Sequence, residues 1–316
     1  MKNKKLAVIA IGGNSLIVDK SHMSVSDQYA AAHETCVHIA DMIEHGWDVA
    51  IGHGNGPQVG FILRRSELSK HELHEVPLDA CGADTQGAIG YAVQQNLYNE
   101  FIKRGLKKEA VTVVTQVEVD REDPAFKSPT KPIGSFMSAE EAKEREKKDG
   151  WVVVEDAGRG WRRVVPSPKP MRIIEEPAVK KLLDEGIVVI TVGGGGIPVV
   201  ADESGCLKGI AAVIDKDNAT SLLATNLNAD LFLITTAVEK VSLYFGTPEE
   251  KQVDKLTLEE AEKHLNEGIH FAKGSMEPKI KAIINFLKNG GNEALITNPE
   301  NIERALKGET GTRFVK

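Results

Sequence analysis

Cysteine is scarce in this chain. Cys36, Cys81 and Cys206 are the only three in 316 residues, odd in number, far apart and without a CxxC pair. That spacing speaks against a disulfide framework and carries no zinc signature. A reducing compartment, the cytosol, fits such a chain. No run of about 18 apolar residues occurs, so no membrane span is expected. The lysine-rich start, Met1 to Lys5, leads directly into a strand-like segment too short for the apolar core of a secretory leader. An excess of positive charge is also missing. The net charge of −7 argues against general affinity for nucleic acid or an anionic membrane, so an acidic chain that binds phosphate must gather its lysines locally. Neither GxGxxG nor GxxxxGK[ST] is present, which removes the usual dinucleotide and P-loop fingerprints. His71 and His74 stand at i, i+3 spacing in a polar setting without a third ligand, and no metal site is expected there.

What is present is ordinary in bulk and unusual in detail. Hydrophobic residues make up 41% and charged residues 27%, typical of a globular protein, and the length suggests two lobes around a large core. Leu6 to Ile11 is wholly apolar, as expected of a strand buried on both faces in a parallel sheet. It ends in Gly12-Gly13-Asn14. A helix is expected over Ser26 to His45, stopped by Gly46. A second short strand, Asp48 to Ile51, leads into Gly52-His53-Gly54-Asn55-Gly56-Pro57. A third, Ile187 to Val192, leads into four glycines, Gly193 to Gly196. Any one such exit reads equally as a tight turn. Three after short apolar strands point to backbone N–H groups exposed to an anion at the carboxyl ends of a sheet. His53 is expected to be a structural loop histidine and not a base. Leu78 to Arg104 reads as one long or broken helix, its Gly82, Gly87 and Gly90 serving either close packing or a subunit contact. Val111 to Val119 reads as another strand.

From Asp120 to about Pro170 the alternation of strand and helix is interrupted. A proline-rich stretch places Lys131 on stiff, extended backbone between Thr130 and Pro132. Ser138 and Glu141 have capping-box spacing, and the runs starting at Trp151 and Trp161 read as a hairpin around Asp156 to Gly160. This block is expected to be a small lid over the sheet edge. Asp215-Lys216-Asp217 then sets three charges before a helix expected over Ala219 to Leu227. Read alone, it is a solvated loop; charge so close to buried elements otherwise has to be paired or serve a ligand. Asn228 to Asp230 reads as a joint, followed by a strand over Leu231 to Thr236. Thr257 and Glu260 mark a second capping box. Ser275 and Pro278 begin a helix with Lys279 in its first turn, where a cation is disfavoured by the dipole and calls for a nearby anion. Glu293 to Thr297 is a strand, and Thr312 to Val315 an expected edge strand.

Taken together, several motifs resemble those of the carbamate kinases, a branch of the amino acid kinase family. They are Gly-Gly-Asn (12–14), Gly-His-Gly-Asn-Gly-Pro-Gln-Val-Gly (52–60), Pro-Thr-Lys-Pro-Ile-Gly (129–134) and Glu-Asp-Ala-Gly-Arg-Gly-Trp-Arg (155–162). Val-Pro-Ser-Pro (165–168), Gly-Gly-Gly-Gly-Ile-Pro (193–198), Ile-Asp-Lys-Asp-Asn-Ala (214–219) and Gly-Ser-Met-Glu-Pro-Lys (274–279) complete the set. The resemblance spans essentially the whole chain in the family's order. It implies an α/β fold, a three-layer αβα sandwich around a mainly parallel sheet. Residues 1–227, with a protruding lid at about 120–170, would bind carbamate or carbamoyl phosphate, and 228–316 would bind nucleotide. It further implies a cytoplasmic homodimer that transfers a phosphoryl group reversibly between ATP and carbamate with Mg²⁺, often toward ATP at the end of arginine deimination. By the same resemblance Lys131, Lys216 and Lys279 face the phosphates and Asp217 organises them. Gly12, Gly13, Asn14, Gly54, Asn55 and Gly56 cradle carbamoyl phosphate, and Tyr244 borders the nucleotide, together with Lys279. No protein metal ligand is expected. The alternatives are another amino acid kinase, such as an acetylglutamate or uridylate kinase, and a nucleotide sensor without turnover. A dinucleotide-dependent oxidoreductase is disfavoured by the missing GxGxxG.

Overall fold

The computed structural model describes residues 5–12, 24–155 and 160–316; Gly13, Asn14 and most of the expected turn at 156–160 lie outside the described residues. The central sheet has eight strands in the order Lys255–Thr257, Thr312–Val315, Glu293–Thr297, Leu231–Thr235, Lys5–Ile11, Trp47–His53, Val188–Ile190 and Ala110–Thr112. The six from Glu293–Thr297 to Ala110–Thr112 run parallel. The other two run the opposite way, Thr312–Val315 pairing antiparallel with Glu293–Thr297 and parallel with Lys255–Thr257. Thr312–Val315 is therefore not the edge strand its terminal position suggested: the three-residue strand Lys255–Thr257, which directly precedes the helix Leu258–Glu267, pairs outside it.

The apolar run of Lys5–Ile11 explains the layering. Val8 and Ala10 point to one face, where they pack with Phe232, Ile234, Leu223, Ile283 and Phe286. Ala7, Ile9 and Ile11 point to the other, with Ile39, Val93, Leu97 and Phe101. Strand residues alternate sides with period two, so an unbroken apolar strand requires cover on both faces. Helices Glu176–Asp184, Lys216–Asn226, Leu258–Glu267 and Met276–Lys288 supply the first cover. Val25–Glu44, Leu78–Arg104 and Ile302–Leu306 supply the second. The result is the expected three-layer sandwich. The Val25–Glu44 helix starts at Ser24, which forms a capping box with Asp27; Thr257 and Glu260 form another. Ser275 occupies the expected cap position but makes no side-chain capping bond.

One further expectation changes and another is resolved. Val111 to Val119 is not one strand: Ala110–Thr112 ends the main sheet, whereas Gln116–Val119 belongs to a four-stranded sheet with Leu207–Gly209, Ile197–Ala201 and Pro170–Ile173. Thr115 marks the break, its backbone N–H donating 2.8 Å to buried Gln86 Oε1. The Leu78–Arg104 helix is continuous, and its glycines are not equivalent. A Cβ on Gly90 would stand 2.3 Å from Thr112 Cγ2, whereas one on Gly82 or Gly87 would meet nothing within 4 Å.

The block expected to be a lid is a three-stranded antiparallel sheet, Lys131–Met137, Trp161–Val165 and Val152–Glu155, carrying the helix Ala139–Asp149. Met137, Ala142 and Val153 form its own small core beside Trp151 and Trp161. Among the described residues no helix is long and apolar enough to cross a membrane.

Candidate active site

Four parallel strands deliver their carboxyl ends to one place. Lys5–Ile11 runs into Gly12, Trp47–His53 into Gly54-Asn55-Gly56, Val188–Ile190 into Gly193 to Gly196, and Leu231–Thr235 into Thr236. The backbone there is crowded. A Cβ on Gly12 would lie 2.7 Å from the carbonyl oxygen of Thr235, and one on Gly54 would lie 3.2 Å from Cδ of Lys216. Asn55 is held from two sides: its Oδ1 accepts from Thr85 Oγ1 at 2.6 Å, and its Nδ2 donates to the Gly194 carbonyl at 3.4 Å. Val192, a β-branched residue, enters the four-glycine turn at φ 43°, a conformation that costs on the order of 1–3 kcal/mol and is typical of functional loops.

The helix Lys216–Asn226 begins at the mouth of this loop cluster. Asp215 caps it, its side chain accepting from the backbone N–H groups of Asp217 at 2.9 Å and Asn218 at 3.4 Å. The sequence reading started this helix at Ala219; the cap moves the start to Lys216 and places both charged residues in the first turn. Lys216 Nζ donates to Asp217 Oδ1 at 2.5 Å, and Lys279 Nζ, from the first turns of Met276–Lys288, donates to Asp217 Oδ2 at 3.0 Å. Asp217 is thus the anion that Lys279 required at a helix N-terminus. From the lid, Lys131 Nζ donates to Asp215 Oδ2 at 2.7 Å. Lysines from three separate parts of the chain therefore meet on two adjacent carboxylates, with one positive charge in excess.

Burial sets the electrostatics of this cluster. Loss of water and the nearby Lys279 pull Lys216 down from the ordinary 10.5 to about 8, against the favourable pull of Asp217. Burial alone would push Asp217 up, but Lys216 and Lys279 more than reverse it and hold the carboxyl well below the usual range. His53 is fully buried and pulled down to about 4, first by desolvation and further by Lys216, although its bond to the Gly54 carbonyl opposes the shift. Its Nδ1–H donates to Gly54 O at 2.9 Å, which leaves Nε2 as a buried lone pair without a hydrogen-bond partner among the described residues. A neutral histidine fixed to its own loop matches the structural role expected for it.

Gly12, Gly54, Asn55, Gly56, Lys131, Lys216, Asp217 and Lys279 all line one cavity of about 930 Å³. Thr236, Val238, Ser242, Phe245, His270 and Met276 line the same cavity. Tyr244 is not on that wall. It has φ 53° and turns its ring edge-on to His270 at 4.3 Å, so that Phe245, the next residue, faces the cavity. Gly13 and Asn14 lie outside the described residues. The sequence reading missed Asp215 as a partner of Lys131, although an acidic residue directly before a helix is the standard cap signal. It also missed His270 and Arg162, which line the cavity from a loop and from the lid and carry no local signal. His264, Glu267 and His270 bring three donor atoms within 4.8 Å of one another. Glu267 Oε2 already accepts from His270 Nε2 at 2.5 Å and pairs with His264 Nδ1 at 3.2 Å.

A model of the amino acid kinase family matches residues 5–298. Over 316 residues, 99% of each chain, the sequence is 50% identical to the carbamate kinase-like protein YahI of Escherichia coli. It is 48% identical over 308 residues to the carbamate kinase of Pyrococcus horikoshii, covering 97% of this chain and 98% of the relative. The carbamate kinase of Giardia lamblia, solved with AMP-PNP bound, superposes with a TM-score of 0.93 at 39% identity, with full coverage of both chains. The shared fold, the matched length and these identities agree, and the chain belongs to the amino acid kinase family.

Proposed function

We propose that this enzyme transfers a phosphoryl group reversibly between ATP and carbamate, giving ADP and carbamoyl phosphate. The observation that carries the proposal is the meeting of Lys131, Lys216 and Lys279 over Asp215 and Asp217 beside the glycine loops. Phosphoryl transfer through a loose transition state needs alignment and positive charge and little covalent help. Carbamate is already an anion, so no general base is required, in keeping with a site whose buried histidine is neutral. A lysine about 4 Å from a phosphoryl oxygen is worth roughly 4 kcal/mol at an effective dielectric near 20, before desolvation; only the part that grows in the transition state speeds the reaction.

In this reading Gly12, Gly54, Asn55 and Gly56, with Gly13 and Asn14, hold carbamoyl phosphate. Lys216 and Lys279, spread by Asp217, flank the phosphoryl group in transit, and Lys131 approaches it from the lid. The division of labour follows the chain, with residues 1–227 taking the carbamoyl end and 228–316 the nucleotide. Phe245, which lines the cavity, takes the place beside the nucleotide that the resemblance implied for Tyr244. The residues present fit a magnesium ion that enters on the nucleotide. Both oxygens of Asp217 are committed to lysines, and those of Asp215 to Lys131 and the helix cap, so the ion's ligands would be phosphate oxygens and water. When bound, it neutralises charge on the phosphates.

A cytoplasmic homodimer completes the reading. Tyr91, Tyr98 and Ile102 are exposed by 57%, 58% and 63% along one face of Leu78–Arg104, a surface suited to a second copy. Sedimentation velocity is expected to give a dimer for the natural chain and a monomer for Tyr98→Glu/Ile102→Glu. A natural chain that sediments as a monomer would contradict this. The activity is tested by supplying carbamoyl phosphate and MgADP and measuring ATP, beside ATP-consuming assays with N-acetylglutamate and UMP. ATP formation with no turnover of the other two is the expected outcome. The reverse pattern would point to another branch of the family, and inertness toward all three to a sensor.

A further inference from the structure

A second cleft lies between the lid and the helix Gln58–Ser69, separated from the active-site cavity by the contact of Gly60 with Gly134. A Cβ on Gly60 would stand 2.9 Å from Gly134 Cα, so the two backbones touch there. The cleft measures about 180 Å³, the volume of roughly six waters. Arg64, Arg145, Arg163, Trp151, Glu67 and Glu141 give it its chemistry.

The three guanidinium groups are not in the same state. Arg64 donates to Glu67 at 3.4 Å and Arg145 to Asp149 at 2.9 Å. Arg163 lies with its Cζ 4.7 Å from the centroid of Trp151 and forms no hydrogen bond to a described residue. Stacking uses the face of a guanidinium and leaves its N–H edge, the fork that matches a carboxylate, available in the plane. None of the Arg163 nitrogens is a fully buried atom without a partner, so the fork is open to an anion that enters the cleft. Glu67, Asp149 and Glu75 face it only through space, and burial outweighs them, pulling its proton affinity below the ordinary arginine value.

We propose that this cleft is a second ligand site, for a small carboxylate held by the Arg163 fork against Trp151. The site is independent of the kinase reading. It is also connected to the lid lysine, because Ile133 and Gly134 line both cavities and Lys131 begins the same strand. An occupant would therefore fix the lid strand at the point where it meets the body.

Succinate is the probe, titrated calorimetrically into the full chain. Saturable binding is expected in the natural protein and in Lys216→Ala, and about tenfold or more weaker binding in Arg163→Gln and in Arg163→Lys, which keeps the charge and loses the fork. Glu67→Gln removes a carboxylate that faces Arg163 and is expected to tighten binding severalfold, a gain that a misfolded variant would not give. With succinate present, hydrogen exchange should slow across Lys131–Met137. Binding abolished by Lys216→Ala and untouched by Arg163→Gln would place the ligand in the main cavity and overturn the proposal. So would the absence of saturable binding, or tighter binding of inorganic phosphate than of succinate.

Discussion

Burial strips water from Lys216, and Lys279 adds like charge beside it, so its ammonium gives up its proton near pH 8 instead of 10.5. Two predictions with opposite signs follow. If the charged form is needed, kcat/KM for carbamoyl phosphate falls as pH rises through about 8, approaching a tenfold loss per unit. The same group costs the fold stability while it is charged, and that cost is relieved as pH rises through the range. Between about pH 8 and 10.5 the unfolded chain still holds the proton that the folded chain has released, so this contribution to unfolding free energy rises with pH. A kcat/KM profile flat from neutrality to pH 10 would contradict the first; urea midpoints that fall across that window would count against the second. His53 acts at the other end: its folded value of about 4 lies below the ordinary 6.5. Stability is therefore lost as pH falls from about 6.5 toward 4, and His53→Gln should remove that part of the acid transition. Lys216, Asp217 and Lys279 stood out in the sequence because each broke a local rule, a cation at a helix start or a charge beside buried strands, whereas Arg162 broke none. His270 and Phe245 broke none, since a loop aromatic becomes a wall only when another part of the chain folds against it.

Asp215 ties two elements together, the lid through Lys131 and the active-site helix through its cap. Asp215→Asn keeps an oxygen for the cap and loses the ion pair; Asp215→Ala loses both. Chemical denaturation is expected to show a cost of about 1 kcal/mol more for alanine than for asparagine, while both loosen the lid strand as seen by hydrogen exchange. Equal stability of the two variants would refute the capping role. The Leu78–Arg104 helix offers a paired test. Gly82→Ala should stabilise by up to about 1 kcal/mol, because helix propensity improves and nothing is in the way. Gly90→Ala should destabilise by about 1–3 kcal/mol, because the new methyl meets Thr112. From sequence the three glycines of this helix were indistinguishable, since the difference lies in a strand that packs on only one of them. The split at Thr115 was hidden for a related reason. Val and Thr suit either sheet, and the decision is made by Gln86, almost thirty residues away. Helix ends, by contrast, were legible to within a few residues wherever a serine, threonine or glycine stood at the boundary.

At the scale of the whole molecule, the parallel sheet converts chain order into proximity. Residues 12, 54 and 194 reach one cavity because their strands are neighbours running the same way, and ligands of such sheets bind beyond the carboxyl ends. That the sheet is covered on both faces was readable from apolar runs without alternation, and the family resemblance implied the three layers, but the place of Thr312–Val315 was not readable, because strand order is settled by pairing across the sheet. The central claim is that three lysines far apart in the chain act on one phosphoryl group. Its most direct test is the rate of ATP formation from carbamoyl phosphate and MgADP in the natural enzyme and in Lys131→Ala, Lys216→Ala and Lys279→Ala, at saturating substrates. We expect kcat to fall by about 10²–10³ in Lys216→Ala and Lys279→Ala, with a smaller rise in KM, and a clear loss of turnover in Lys131→Ala. An unaltered kcat in Lys216→Ala, or no ATP from the natural enzyme, would contradict the account.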